Sequence, residues 1–456
     1  MAHILVCDPD PSFNDHLANL LARFGDTVTW TRSAQQALPY LTQGSVALVV
    51  VNRQAGDGDP LEPFEPYLKA RRPPIVLLSD PLSVDQLVHA YRRGIAYDVI
   101  KPFHTRELIS CLYASVHQHR RVVCLGGGTG LYTLLMGLKT LPGTHLTSVV
   151  SMSDDGGSSG RIREAFGVLP PGDVRRSLVA LSTAPSLMND LMQYRFGEGA
   201  GLRDHNLGNL LLTAMANLTG SMAEAVRAAG DILNVQGLVL PVTTNPNTLV
   251  AELADGTIVR GEHLIDVPQG RDPAVRIARL WQEPAAEANP DALSAILAAD
   301  LITIGPGDLF TSIMATLAVK GIATALRTAR GRKLYICNLM TKPGETSGFT
   351  VADHIREVVR YVGEDVLDEV LVSRTTFSQE ALTEYAAKGQ QPVRLDDDAA
   401  LRQVTKAKII VRDIGSEQEL VRHDSLKLAS EIARLVVPSS SPSQPASTAA
   451  SALPTR

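Results

Sequence analysis

The sequence predicts an α/β protein made of two doubly wound units in tandem, and three observations carry that prediction. Apolar, β-branched runs alternate with amphipathic helical segments, the pattern of parallel sheets wrapped by helices. Polar residues gather just after those runs, where open α/β sheets collect their functional groups. The alternation then restarts near residue 121, where a new strand runs into a glycine-rich turn. At 456 residues and 45% apolar content, the chain has material for two or three cores. Its net charge of −5 gives no general attraction to nucleic acid or to an anionic membrane, and neither is expected as a partner.

The first unit, residues 1–120, reads in order as "HILVCD", "FNDHLANLLARFG", "VTWTR", "SAQQALPYLTQG", "VALVVVN", "PPIVLLS", "VDQLVHAYRRGI", "YDVIKPF" and "TRELISCLYASVHQH". Its strand ends carry Asp8 and Asp10, Asn52, Ser79, then Lys101 with Pro102. This spacing resembles the receiver domain of bacterial response regulators, a flavodoxin-like fold, with "YDVIKPF" the most specific segment. The resemblance implies a cis Lys101–Pro102 bond. It also shows two departures. Pro9 stands where a receiver has its second metal-binding carboxylate, and Asn52 stands where the phospho-accepting Asp should end the third strand. An amide is no nucleophile towards phosphorus and no charged ligand for a hard cation. Asp57 and Asp59 in "AGDGDP" are the substitutes to consider, although Asp-Gly is already explained by turn chemistry. The expectation is a pseudo-receiver that contacts a protein partner or a second copy of the chain, so a homo-oligomer is expected.

No spacer separates this unit from the next, which implies a restricted mutual orientation. The opening "MAHILVCDPD" is not a signal peptide, and no apolar run approaches the roughly eighteen residues of a membrane span. Cys7, Cys111, Cys124 and Cys337 form no C-x-x-C pair, as suits reduced thiols in a cytoplasmic protein.

In the second unit, residues 121–437, "RVVCLGGGTGLYTLLMGLKTL" reads as strand, turn and helix. Gly126, Gly127, Gly128, Thr129 and Gly130 place bare amides at a helix N-terminus, which favours an anion. The turn matches neither G-x-G-x-x-G nor a P-loop, since Leu131 replaces the last glycine and no Lys-Ser/Thr follows. "SMSDDGGSSGR" supplies a second turn with Asp154, Asp155, Gly156, Gly157, Ser158 and Arg161. An acidic residue at the end of a second strand takes ribose hydroxyls in dinucleotide folds. Asp173 reads as a helix cap, with Arg175 and Arg176 in the first turn; two cations there oppose the helix dipole and point to an anion, or are simply solvated. "HNLGNLLLTAM" offers His205, Asn206 and Asn209. "ADLITIGPGDLFTSI" places Gly305 and Gly307 before a helix start, which repeats the first turn's anion-receptive geometry, and "ICNLMTKPGET" adds Asn338. Residues 221–300 read as short strands and turns, an antiparallel excursion or a cap. The Ser/Pro/Ala-rich tail 438–456 reads as disordered.

Taken in order, "GGGTG", "DDGGSSGR", "PPGDVR", "HNLGNL", "GPGDLFTS" and "NLMTKPGET" resemble the YvcK-type gluconeogenesis factors of the CofD superfamily, over residues 121–437. The resemblance implies a Rossmann-like fold that binds a UDP-sugar such as UDP-N-acetylglucosamine. It further implies a role in gluconeogenic growth, cell-wall synthesis and cell shape. It implies site roles for Tyr385 and Arg422; physically, an aromatic face stacks on uracil or sugar and a guanidinium holds a diphosphate. No catalytic residue is assigned. Two alternatives stay open: a CofD-like phosphotransferase in which Asp154 and Asp155 hold Mg²⁺ against a diphosphate, and a phosphorelay output protein. The central expectation is that the amides around Gly128 and Gly157 share one cavity and one diphosphate.

Overall fold

The structure, a computed structural model, describes residues 2–56, 58–197, 201–418 and 420–436. Asp57 and the tail 438–456 lie outside them.

Five strands alternate with helices through residue 116: β1 (His3–Cys7), β2 (Thr27–Thr31), β3 (Leu48–Asn52), β4 (Ile75–Ser79) and β5 (Tyr97–Ile100). They pair in parallel in the order β2-β1-β3-β4-β5, the flavodoxin-like winding. Strands β3 and β4 are buried at every position, as the unbroken runs LVVVN and IVLLS require of a sheet covered on both faces. The Lys101–Pro102 bond is cis.

A second parallel sheet begins at β6 (Arg120–Gly126) and continues with β7 (Thr144–Val150) and β8 (Leu238–Pro241). An antiparallel excursion follows, β9 (Thr248–Leu253), β10 (Ile258–Arg260) and β11 (Ile277–Glu283), in the order β10-β9-β11. The chain returns through β12 (Leu301–Ile304), β13 (Arg332–Ile336), β14 (Glu369–Ser373) and β15 (Lys408–Arg412). The order across the sheet is β15-β14-β13-β12-β6-β7-β8. Winding therefore proceeds one way from β6 and the other way from β12, and the switch point lies between those two strands. The expectation of short strands and turns over 221–300 misses three helices, Met222–Ile232, Glu262–Asp266 and Pro290–Ala298. In the first, Met222, Ala225, Val226 and Ala229 are buried at helical spacing, a signal carried mostly by small alanines.

The two sheets are fastened by a polar seam. Tyr91 Oη lies 2.8 Å from Ser294 Oγ, which donates to Asp98 O at 2.8 Å. Arg106 donates to Gly230 O at 2.9 Å and to Val235 O at 2.6 Å. Arg227 meets Glu107 at 3.3 Å and also pairs with Asp291. All four cysteines are buried, and burial pushes the Cys7 thiol up to about 11.

Candidate functional site

At the switch point of the second sheet, the turns after β6 and β12 approach so closely that side chains are excluded. A Cβ on Gly130 would lie 2.5 Å from Pro306 O, and one on Gly127 would lie 2.5 Å from Asp173 Oδ2. The helix Gly128–Leu138 starts there, with Gly128 at φ +64. Its Thr129 and Gly130 amides have no acceptor among the described residues. These are helix N-terminal donors, each carrying part of a positive dipole end.

A cavity of about 400 Å³ opens over these amides. Of the expected site residues, Gly127, Gly128, Thr129, Gly130, Gly307, Asn338, Tyr385 and Arg422 line it. Arg176, Asp308, Ser312, Lys342 and His423 line it too. Arg422 is exposed and has no ion-pair partner among the described residues. Arg176 reaches Asp173 only at 3.5 Å. Tyr385 is held in place because Val421 N donates to its hydroxyl at 2.9 Å, while its ring packs on Leu339, Met340, Phe377 and Val421. Asn338 Nδ2 donates to Gly307 O at 2.8 Å, leaving its Oδ1 without a partner. Burial lowers His423 to about 4, so its imidazole is neutral near pH 7, with Nε2 3.2 Å from Cys337 O.

Beside this cavity, Lys342 Nζ bridges Asp308 Oδ2 at 2.8 Å, Glu345 Oε1 at 3.4 Å and Asp266. The three carboxylates lie close enough to share a cation, and the ammonium already sits among them. Their charges raise the Lys342 pKa against the opposing cost of burial. Burial chiefly raises Glu345 to about 7, and Lys342 pulls the other way.

Several expectations are corrected. The two glycine turns share no cavity: Gly157 and Arg161 open onto a different depression with Asp155, Gly160 and His263. The cause is strand order, because β7 lies on the far side of β6 from β12. Asp155 is spent on structure, accepting from Glu262 N at 3.1 Å and His263 N at 2.7 Å. Asp154 accepts from Gly156 N at 3.0 Å and packs against Gly172. Asp173 is not the cap of its helix, Gly172–Leu181; it lies inside the first turn and faces the Gly128 amide. Burial, reinforced by Asp154, raises it to about 6. Arg175 is buried, donating to Asn209 Oδ1 at 2.8 Å and Met192 O at 3.3 Å, so of the two it is Arg176 that lines the cavity.

Asn206 caps Leu207–Thr219 and Asn209 donates to Ser158 Oγ at 3.3 Å, with His205 Nδ1 3.4 Å from the same oxygen. That group staples two helices together away from the cavity. Gly126 and Gly305 shape the turns without lining it. The helix start after β12 is anion-receptive but already filled from within, since Glu345 accepts from Phe310 N at 2.8 Å and Thr311 N at 3.3 Å. Lys342 and Asp308 were legible only as charges beside Gly-Pro turns, with nothing local to say that they meet.

In the first sheet, Asp8 and Asn52 meet at the corresponding switch point between β1 and β3, where Asn52 Nδ2 donates to Asp8 Oδ2 at 2.8 Å. Ser79 Oγ donates to Asp98 Oδ1 at 2.9 Å, and Lys101 makes no ion pair among the described residues.

Residues 122–414 match the family model described as 2-phospho-L-lactate transferase CofD. The chain is 39% identical to the gluconeogenesis factor of Bacillus subtilis over 322 residues, 70% of this chain and 99% of that protein. The chain belongs to the CofD family, as a gluconeogenesis factor by relationship. The Halalkalibacterium halodurans gluconeogenesis factor is 40% identical over 315 residues, 69% of this chain and 95% of the relative. A crystal structure of a UPF0052-family protein from Bacillus halodurans superposes with a TM-score of 0.65 at 40% identity, covering 69% of this chain and 98% of that one. For this family member, no helix among the described residues is long and apolar enough to cross a membrane.

Proposed function

We propose that this protein is a cytoplasmic regulator that binds a UDP-sugar at the switch point of its second sheet. One observation carries the reading: the unpaired Thr129 and Gly130 amides and the free Arg422 guanidinium border the same cavity as the Tyr385 ring. Amides and guanidinium suit a diphosphate, and the ring suits uracil or the sugar face. The volume of about 400 Å³ lies within the range of small-molecule sites. UDP-N-acetylglucosamine is the first candidate. Calorimetry with that ligand tests the reading: saturable binding is expected, weakened about tenfold to a hundredfold by Arg422→Ala. Absence of heat and of any thermal shift at saturating ligand would sink it.

Occupancy would report sugar-nucleotide supply to gluconeogenic growth, cell-wall synthesis and cell shape. Complementation of a Bacillus subtilis strain lacking its gluconeogenesis factor checks that role. The first unit acts as a pseudo-receiver, a platform for a protein partner or a second copy of the chain, since Asn52 fills the acceptor position with an amide bonded to Asp8. Acetyl phosphate with Mg²⁺ should leave no acyl-phosphate adduct, and light scattering of the full chain should give a mass above one copy.

A second reading, a CofD-like phosphotransferase, is favoured by the carboxylates of Asp266, Asp308 and Glu345 beside the cavity, where Mg²⁺ could displace the Lys342 ammonium. Turnover of a nucleotide-activated phospholactate with a deazaflavin acceptor would establish it.

A further inference from the structure

A second cleft, of about 360 Å³, lies where the two sheets meet, at the opposite end of the strands from the candidate site. Its walls come from the amino-terminal approaches of β4, β5, β6, β12 and β13: Pro74, Ala96, Arg121, Asp300 and Arg332 each sit at such an approach. Arginine dominates it. Arg71 and Arg92 reach it from the first unit, Arg330 and Arg332 from the second, and Arg121 from the junction. Asp300 is the only carboxylate among the lining residues described.

Charge accounting distinguishes this cleft from ordinary solvated surface. Arg332 is neutralised by buried Glu369. Arg71, Arg92, Arg121 and Arg330 have no carboxylate within ion-pair distance among the described residues. Two helices, Val84–Arg93 and Ile322–Thr328, end nearby, and their carbonyl ends contribute about half a negative charge each. Counting five guanidiniums against Asp300, Glu369 and both helix ends leaves a surplus of about two positive charges. Arg121 is also positioned rather than free: Nη1 donates to Ala96 O at 3.0 Å and Nη2 to Ser115 Oγ at 2.6 Å, with the group 5.4 Å over the Tyr97 ring. Its buried Nε has no acceptor.

We propose that this interfacial cleft is a second ligand site, for a small molecule bearing two or more phosphate charges. Planar guanidiniums grip phosphate oxygens in pairs, and the volume suits a pyrophosphate or a mononucleotide rather than a macromolecule. Because Arg71 and Arg92 come from the first unit and Arg330 from the second, an occupant gripped by all three ties the two units together, adding to the bond that Arg330 Nη2 donates to Arg92 O at 3.2 Å. The site is independent of the UDP-sugar reading.

The test uses the full chain carrying Arg176→Ala and Arg422→Ala, which weakens anion binding at the candidate site, titrated calorimetrically with inorganic pyrophosphate and with ATP at low salt. One binding site is expected, weakened about tenfold or more by adding Arg92→Glu with Arg330→Glu. Hydrogen exchange in the unsubstituted chain is the second measurement, with slower exchange expected over residues 91–96 and 328–332 when pyrophosphate is added; it stands if the charge-reversed chain fails to fold. No heat with either probe, binding indifferent to the charge reversal, or unchanged exchange in both segments would each overturn the proposal.

Discussion

The two parallel sheets of this molecule each have a topological switch point, and the two are used in opposite ways. Between β1 and β3, the carboxylate of Asp8 is satisfied from within, by the Asn52 amide at 2.8 Å and by Asp10 N at 2.9 Å. Between β6 and β12, the Thr129 and Gly130 amides are left open under a cavity bordered by Arg422 and Arg176. The first crevice has consumed its own polar groups, while the second has kept them available. A shared winding rule thus supplies a place for chemistry without dictating that chemistry occurs there.

The largest break in this contrast should come from Gly130→Ala. Its Cβ would meet backbone at Pro306 O and Gly307 N, and neither can swing aside as a side chain would. The turns should part, costing about 2–3 kcal/mol in chemical denaturation, and calorimetry should show ligand affinity falling about a hundredfold or more. Retained affinity would mean that the close approach is not what builds the crevice.

Asn52→Asp sharpens the comparison from the other side. It sets a second carboxylate against buried Asp8 and should destabilise the protein by about 2–3 kcal/mol without divalent cations. Adding Mg²⁺ should restore much of that, measured as a rise in melting temperature that the unsubstituted chain does not show.

The candidate site should also be acid-sensitive through His423. Burial depresses its pKa to about 4 from 6.5, so the folded state favours the neutral ring. Its contribution is complete above pH 6.5 and is lost as the pH falls towards 4, amounting to about 2 kcal/mol by pH 5. Denaturation followed from pH 7 to pH 5 should show that slope, and His423→Asn should flatten it.

The smallest effect belongs to the seam. Ser294→Ala removes the bridge between Tyr91 Oη and Asp98 O, at a cost of about 1–2 kcal/mol in denaturation.

Much of the architecture was readable locally. Runs such as "LVVVN" and "RVVCLG" name strands, the Gly-rich turn announces a helix start, and the order of strands and helices implies parallel sheets. Asp8 and Asn52 were readable as strand-end residues, but their hydrogen bond comes from β1 and β3 lying side by side. Arg175 and Arg176 show where such reading stops. Both sit in one helical turn, and only the packing of Arg175 against Asn209 and Met192 decides that its neighbour faces the cavity. Lys342 likewise gains its meaning from Asp266, 76 residues earlier in the chain.

Alone, the order of amino acids established two α/β units, the glycine turns as places of bare backbone, and an amide, Asn52, at the end of the third strand. Each of these follows from near-neighbour sterics and side-chain chemistry. Which turns face one another was decided by the folded molecule, which inserts β6 between β7 and β12 and so separates Gly157 from Gly128 while joining Gly130 to Pro306. Strand order is set by burial across the whole sheet, so residues close along the chain can end in different cavities and distant ones in the same one.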